Sequence, residues 1–298
     1  CFLAMAIFGC ASQGTPPVTY VSESAGDTPS AVYRSVMGIT LGEPLAISVD
    51  FVGRLLVADG VAARIIRLSP DGDKALEFQS PSQIPGFYPG DVKATGFFVY
   101  SLDVVSRLVV RFDHTGTYRD VLINFDELFE GGRTAPSGMD VDNSGRIVVT
   151  DETEHQVILF DAYLKVEVLF GSYGSFPGQF DSPAGISFLE QGGLLVADSG
   201  NRRLQVFDEG GKFLRVIPEE GMENPMRRPR RAVMASDGTI YVADPGAGRV
   251  FVFDESGRLL RSIRPAGVDN FRPTDVEITS TGQIYVTDTA NSALYEFR

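Results

Sequence analysis

The sequence has no tryptophan, two cysteines and two histidines among its 298 residues. Both cysteines, Cys1 and Cys10, lie within the first ten residues, so no thiol follows Cys10. A disulfide framework, a zinc site built on cysteine and a cysteine nucleophile are therefore excluded for residues 11–298.

Positive charge is also scarce, because 26 lysines and arginines face 39 aspartates and glutamates, a net charge of -13. Broad attachment to nucleic acid or to anionic lipid requires a dominant basic surface, so we expect no nucleic-acid partner. The hydrophobic fraction of 43% together with 32 glycines and 17 prolines indicates a globular protein rich in turns rather than a disordered one.

The N-terminal segment contains no long hydrophobic run. Residues 1–9 (CFLAMAIFG) are too short to span a bilayer as a helix but suit the apolar part of a secretion signal. Residues 7–10 (IFGC) resemble the lipobox of bacterial lipoproteins, which implies that Cys10 is acylated. The alternative is a buried N-terminal strand with an incidental cysteine. It is disfavoured because residues 11–30 have the Ser, Thr, Pro and Gly content of a flexible tether.

The sequence therefore predicts three parts: a signal remnant (1–9), a lipidated cysteine with its tether (10–30) and a folded domain (31–298). We expect an exported protein of the bacterial cell envelope that contacts the membrane through its lipid alone, since two or more acyl chains give stable anchoring. In a Gram-negative source, Ala11 and Ser12 would suit sorting to the outer membrane, by analogy with the lipoprotein family.

One unit recurs six times in the folded part. Each copy has an opening proline, a glycine turn, a β-rich strand that ends in aspartate, a polar loop and an alternating strand. The opening prolines are residues 44, 89, 136, 183, 229 and 273. The second strand reads LLVAD (55–59), IVVTD (147–151), LLVAD (194–198), IYVAD (240–244) and IYVTD (284–288), whereas blade 2 has FFVYS (97–101) with Ser101 in place of aspartate. A short helical turn is expected near Phe125.

The near-constant period and the Val, Ile, Tyr and Phe content predict an all-β fold, a six-bladed β-propeller of four-stranded antiparallel blades. The sixth copy stops at its third strand (294–298), and residues 32–39 resemble the outer strand of another copy. We therefore expect the N-terminal strand, at about 31–39, to complete the last blade and to close the ring. Such a ring has few open strand edges, which favours a monomer.

The fourth copy carries a family resemblance. Its segments FGSYGSFPGQFDSPAGI (170–186) and VADSGNRRLQVF (196–207) resemble a consensus NHL repeat, and the similarity extends weakly over residues 31–298. The absence of tryptophan counts against WD-repeat propellers and against tryptophan-docked quinoprotein propellers. The resemblance implies that the loops after the second and fourth strands share one face, here called the top face, which is usually the binding face.

Polar residues of the top face divide into repeated and unrepeated ones. The strand-end aspartates recur in most copies, so we interpret them as loop caps rather than ligands. Unrepeated charges appear two residues after the opening proline, at the channel mouth, where Asp91, Arg231 and Asp275 replace small residues. Arg231 and Asp275 lie in neighbouring blades and are expected to pair. This trio is either a polar ligand site or an ion-paired channel rim.

The strongest basic cluster is the arginine run, residues 227–231 (RRPRR), in a loop that leads from a fourth to a first strand. Arg227, Arg228, Arg230 and Arg231, together with Arg202, are candidates for gripping an acidic peptide, a carboxylate or a phosphate. The alternative is a solvated loop.

Enzymatic relatives of the family give weaker matches. Peptide-amidating lyases use zinc-bound histidines, but His114 and His155 are predicted on opposite faces and cannot share a metal. Calcium-dependent lactonase propellers need several carboxylates in the channel, for which Asp91, Asp275 and Glu277 are the candidates. We therefore expect no cofactor and no metal, with calcium as the alternative, and we assign no catalytic residue.

Three functions remain open at this point. The favoured one is a rigid, membrane-anchored platform that binds a protein, peptide or glycan through the top face. The second is a calcium-dependent hydrolase or lactonase with a site at the channel mouth. The third is a structural subunit of an envelope complex. Fold alone does not choose among them.

Overall fold

The six predicted repeats each form a four-stranded antiparallel sheet in the computed structural model, which describes residues 27–36, 38–69, 74–129 and 133–298. The all-β, six-bladed propeller is thereby confirmed. The predicted signal remnant, the acylation of Cys10 and most of the tether lie outside the described residues. Within the described ranges, no helix is long and apolar enough to cross a membrane.

The strands follow the chain in order. Before the first complete blade come β1 (Ala31–Tyr33), β2 (Ser35–Val36) and β3 (Ile39–Thr40). Blade 1 contains β4 (Pro44–Val49), β5 (Leu55–Asp59), β6 (Arg64–Leu68) and β7 (Ala75–Phe78). Blade 2 contains β8 (Pro89–Ala94), β9 (Phe98–Asp103), β10 (Leu108–Asp113) and β11 (Tyr118–Asn124), and the short helix α1 (Phe125–Leu128) follows it.

The remaining blades repeat this pattern. Blade 3 contains β12 (Pro136–Val141), β13 (Ile147–Asp151), β14 (Gln156–Phe160) and β15 (Val166–Phe170). Blade 4 contains β16 (Pro183–Phe188), β17 (Leu194–Asp198), β18 (Arg203–Phe207) and β19 (Phe213–Ile217). Blade 5 contains β20 (Arg231–Met234), β21 (Ile240–Asp244), β22 (Arg249–Phe253) and β23 (Leu259–Ile263). Blade 6 contains β24 (Pro273–Ile278), β25 (Ile284–Asp288) and β26 (Ala293–Phe297).

The N-terminal strand closes the ring, as the sequence predicts. Strand β1 pairs antiparallel with β26, with Ala31 opposite Glu296 and Tyr33 opposite Leu294. The pairing ends at Tyr33, because β2 and β3 turn away as a separate two-stranded hairpin. The closing strand is therefore shorter than the predicted segment of residues 31–39.

The core is divided among the blade junctions. Six clusters of buried apolar side chains each join one blade to the next, and the cluster that contains Leu41, Ile47 and Tyr285 joins blade 6 to blade 1. Burying each large side chain contributes about 1.5–3 kcal/mol. Because every junction has such a cluster, the inner strands are held rigidly around the central channel.

Blade 2 corrects one sequence-based alignment. Asp103, not Ser101, lies opposite the opening Pro89, in the same way that Asp59 lies opposite Pro44 in blade 1. Asp103 Oδ1 accepts hydrogen bonds from the backbone N–H groups of the loop that follows it, at 3.0 and 2.9 Å. The assignment of Ser101 to this position was wrong, and all six blades carry the strand-end aspartate.

Candidate functional site

The strand-end aspartates organise the top face. All six are buried, and in every blade the carboxylate accepts hydrogen bonds from backbone N–H groups of the adjoining loops. Some also pair with an arginine; for example, Asp198 lies 2.8 Å from Arg203. The prediction that these residues cap loops is confirmed. Each capped loop presents its variable side chains from a fixed backbone.

The arginine run is held in this way. Asp244 Oδ2 accepts the backbone N–H of Arg227 at 2.6 Å, and Asp244 Oδ1 accepts that of Arg228 at 3.0 Å. Asn224, three residues before Arg227 in the same loop, donates its side-chain amide to the backbone carbonyl of Arg202 at 2.8 Å. The structure therefore brings Arg202 beside the loop of the run.

The members of the run differ in accessibility. Arg227, Arg228 and Arg202 are exposed, Arg230 is half-buried and Arg231 is buried. Among the described residues, no carboxylate lies within 4.0 Å of the guanidinium groups of Arg202, Arg227, Arg228 or Arg230. These four arginines can therefore accept an external anion, whereas Arg231 faces the channel.

The channel-mouth trio comes together as a closed ion bridge. Arg231 Nη1 lies 3.2 Å from Asp91 Oδ2, and Arg231 Nε lies 3.6 Å from Asp275 Oδ1. Arg231 Nη1 also donates to the backbone carbonyl of Met139 at 3.0 Å. All three charged side chains are buried, and the cavity above them measures about 10 Å³. Arg231 thus closes the mouth of the channel and leaves room for about one water molecule. We call Arg231, Asp91 and Asp275 together the plug.

Backbone hydrogen bonds hold the two carboxylates of the plug. Asp91 accepts the N–H groups of Val92 and Met139, both at 2.8 Å, and Asp275 accepts those of Val276 at 2.7 Å and Ile47 at 2.9 Å. Each aspartate therefore ties its own blade to the next blade around the ring.

Burial dominates the titration of the plug. It raises the pKa of Asp91, and it raises the pKa of Asp275 to about 7 although the Arg231 guanidinium opposes the shift. Burial also disfavours charged Arg231, but the carboxylates of Asp91 and Asp275 outweigh this effect and raise its pKa. The arginine therefore stays charged at the mouth of the channel.

A second charged layer lies two residues further along the inner strands. Lys93 Nζ lies 3.1 Å from Asp140 Oδ1, and burial raises the pKa of the half-buried Glu277. Sequence analysis missed Lys93 and Asp140. The signal was present, because alternate residues of a strand face the same side, so the fourth position after each opening proline faces the channel like the second.

A pocket of about 470 Å³ opens on the top face beside the run. We call it the arginine pocket, because Arg228, Arg230 and Arg272 line it, with Glu152 and the buried ring of Phe271. Arg272 was not among the sequence candidates. It immediately precedes the opening proline of blade 6, as Arg228 precedes that of blade 5, and this shared position was the signal.

The candidate metal ligands stay apart. Strands β10 and β14 place His114 and His155 at opposite ends of the blades, with His114 after the third strand of its blade and His155 before it. Across the part of the chain that the structure describes, no three His, Cys, Asp or Glu side chains are grouped to hold a metal ion. Asp91 and Asp275 face a guanidinium instead of each other.

Comparison with known proteins identifies the repeat. Residues 180–207 match the NHL repeat family. The chain therefore contains an NHL repeat. A 44-residue segment is 48% identical to the B-box type zinc finger protein ncl-1 of Caenorhabditis elegans and 43% identical to Protein brain tumor of Drosophila melanogaster. Each match covers 15% of this chain, but only 5% and 4% of those proteins.

Solved structures resemble the whole propeller. Virginiamycin B lyase from Staphylococcus aureus shares 14% identity at a TM-score of 0.64, over 90% of this chain and 88% of that one. A gluconolactonase from Xanthomonas campestris shares 16% identity at a TM-score of 0.66, over 86% of each chain. A chain of the nidogen/laminin complex shares 16% identity at 0.64, over 78% and 84%. Such low identities establish the fold alone.

Proposed function

We propose that this protein is an exported, lipid-anchored platform whose propeller binds a protein, peptide or glycan through the top face. The observation that carries the proposal is the contrast within the arginine run. Arg231 is buried and paired, whereas Arg227, Arg228 and Arg230 emerge from the same loop without a carboxylate partner among the described residues. Unpaired guanidinium groups on a fixed backbone favour recognition of carboxylates and other anions.

The architecture supports binding on the top face rather than chemistry at the channel mouth. The plug leaves about 10 Å³ at the channel mouth, which is too small for an organic substrate. The outer surface of the top face, in contrast, is open and charged. The nidogen/laminin structure, which has the same fold, is a complex of proteins, and this precedent is compatible with a docking role.

The membrane anchor is the second element of the proposal, and it rests on the lipobox resemblance of residues 7–10. Replacing Cys10 with serine should move the protein from the membrane fraction to the soluble fraction of cells that express the full chain. Metabolic labelling with a fatty-acid analogue should label the wild-type protein and not the variant. Equal membrane association of both proteins would refute the anchor.

Partner capture tests the platform. The wild-type protein and a variant with Arg202, Arg227, Arg228 and Arg230 replaced by serine should be used to capture partners from the native envelope, with mass spectrometry identifying what is bound. Arg231 is left intact because it belongs to the plug. A specific partner held by the wild type and lost from the variant supports the top face. Equal capture by both proteins would count against it.

The alternative of a calcium-dependent hydrolase draws on the fold of the gluconolactonase and on the carboxylates of Asp91 and Asp275. The charged guanidinium of Arg231 argues against it, because a cation already occupies the position between these two carboxylates. Calcium should therefore leave the thermal unfolding temperature unchanged. A rise that chelation reverses would favour the enzyme. The third alternative, a structural subunit of an envelope complex, predicts that the captured partner co-purifies in a fixed stoichiometry.

A further inference from the structure

The positions that flank the opening prolines divide the top face by charge. The residues that precede these prolines are, from blade 1 to blade 6, Glu43, Tyr88, Ala135, Ser182, Arg228 and Arg272. The residues that follow them are Leu45, Gly90, Ser137, Ala184, Arg230 and Thr274. All the arginines of these two rings therefore fall in blades 5 and 6, whereas blades 3 and 4 carry small side chains.

Arg228 and Arg272 are presented in the same way by neighbouring blades. Asp244 accepts the backbone N–H of Arg228 at 3.0 Å, and Asp288 accepts that of Arg272 at 3.1 Å. Arg230 follows the buried Pro229, and its own N–H donates to the carbonyl of Ala243 at 2.9 Å. The backbones of all three arginines are thus fixed at the rim of one pocket.

The positions that flank the opening prolines carry one carboxylate, that of Glu43. Glu43, the acidic member of the ring, accepts a hydrogen bond from the hydroxyl group of Tyr88. Glu152, the carboxylate that lines the arginine pocket, comes from the loop between β13 and β14 in blade 3 and is exposed to solvent. The arginine pocket is therefore a local positive site on a protein whose net charge is -13.

We propose that the arginine pocket binds an acidic peptide segment, that is, a stretch of a partner chain with several aspartate or glutamate side chains. This inference rests on the proposed platform function and specifies its ligand. The three guanidinium groups come from two loops on neighbouring blades, and each of them can pair with a carboxylate. Carboxylates spaced along an extended chain match that distribution.

A nucleic acid fits the pocket less well. Single-stranded nucleic acids gain much of their affinity by stacking bases on exposed aromatic rings. The aromatic residue that lines the arginine pocket, Phe271, is 4% exposed and cannot stack a base.

Fluorescence anisotropy provides a direct test with a labelled decapeptide of alternating glutamate and glycine. A peptide with glutamine in place of glutamate serves as the neutral probe, and a labelled single-stranded RNA decamer as the nucleic-acid probe. We expect saturable binding of the glutamate peptide, weakened by salt, and at least tenfold weaker binding of the other two probes. The triple variant Arg228→Ser, Arg230→Ser, Arg272→Ser should bind the glutamate peptide at least tenfold more weakly than the wild type.

A control variant with the same change in net charge separates the effect of the pocket from the effect of overall charge. Arg119, Arg258 and Arg261 have side chains that are 53%, 74% and 47% exposed, and ion pairs at the surface contribute little to stability. Replacing these three residues with serine changes the net charge equally outside the pocket and should leave peptide affinity within twofold of the wild type. Thermal unfolding of both variants checks that the fold is intact.

Three results would overturn the inference: no binding of the glutamate peptide, equal loss of affinity in both triple variants, or tighter binding of the RNA. The partner-capture experiment separates this failure from failure of the platform itself. If a partner is still captured through Arg202, Arg227, Arg228 and Arg230 while the glutamate peptide does not bind, the platform stands and the acidic ligand class is wrong.

Discussion

Replacing Arg231 with methionine should destabilise the propeller through the charges that it leaves behind. Asp91 and Asp275 are 5% and 2% exposed, and Arg231 is the cation beside both. Removing one partner of a buried ion pair costs about 3–5 kcal/mol, because the remaining charge is neither solvated nor neutralised. At about 2 °C per kcal/mol for a domain of this size, we expect the midpoint of thermal unfolding to fall by about 6–10 °C.

The pH dependence of this loss identifies its cause. Burial already raises the pKa values of both aspartates in the presence of Arg231, and removal of the guanidinium raises them further. A carboxyl group whose pKa is higher in the folded state stabilises that state at low pH, and the stabilisation is lost as the pH rises. The deficit of Arg231→Met should therefore be smaller at pH 5 than at pH 8.

Chemical denaturation of the wild type, Arg231→Met and Arg231→Lys at both pH values measures the effect. Lysine retains the charge but not the planar fork, so Arg231→Lys should lose less free energy of unfolding than the methionine variant. A deficit of Arg231→Met that is equal at pH 5 and pH 8 would show that the loss reflects altered packing, and the electrostatic account of the plug would be refuted.

Three further predictions concern the scaffold. A chain that begins at residue 34 lacks β1 and the hydrogen bond from Tyr33 to Glu296. Its free energy of unfolding in urea should fall by about 2–5 kcal/mol, since each lost hydrogen bond costs about 0.5–1.5 kcal/mol. An unchanged unfolding midpoint would contradict ring closure. Asp103→Ala should cost about 1–3 kcal/mol by the same measurement, because two loop N–H groups lose their acceptor; wild-type stability would restore Ser101 as the equivalent residue. In the wild type, burial raises the pKa of Asp275 to about 7, so its stabilising contribution is lost between about pH 4 and pH 7. The difference in free energy of unfolding between the wild type and Asp275→Asn should therefore change across that pH range. Parallel pH profiles of the two proteins would exclude the raised pKa of Asp275.

The sequence predicts the architecture because the repeat is carried by residues with fixed backbone roles. An opening proline, a turn glycine and a strand-end aspartate specify each blade, and their spacing alone gives six blades. The alignment failed in blade 2 because the run Phe97 to Tyr100 looks like the second strand two residues too early, whereas Phe97 is 82% exposed. Only the pairing of Pro89 with Asp103 fixes the register.

The candidate site was predictable from the sequence where the position in the repeat determines which way a side chain faces. Asp91, Arg231 and Asp275 share a repeat position and meet in the channel, as expected. Their burial was not evident from the sequence, because it depends on how far the Arg231 side chain crosses the channel towards blades 2 and 6. Arg272 was missed for a different reason. It does not belong to a run of arginines, and its proximity to Arg228 and Arg230 arises from the packing of blade 6 against blade 5.

The plug and the arginine pocket are connected through the loop that carries the arginine run. The arginine run is fixed at its start by Asp244, which holds the backbone of Arg227 and Arg228, and at its end by Arg231, whose side chain is anchored in the channel. Arg230 lies between these two anchors, so the loop has little freedom to lose when a ligand binds. Because ordering a loop on binding costs affinity, a loop that is fixed at both ends can recognise its partner with few contacts. In the proposed function, the buried charges of the channel would thus contribute to binding at the surface without touching the ligand.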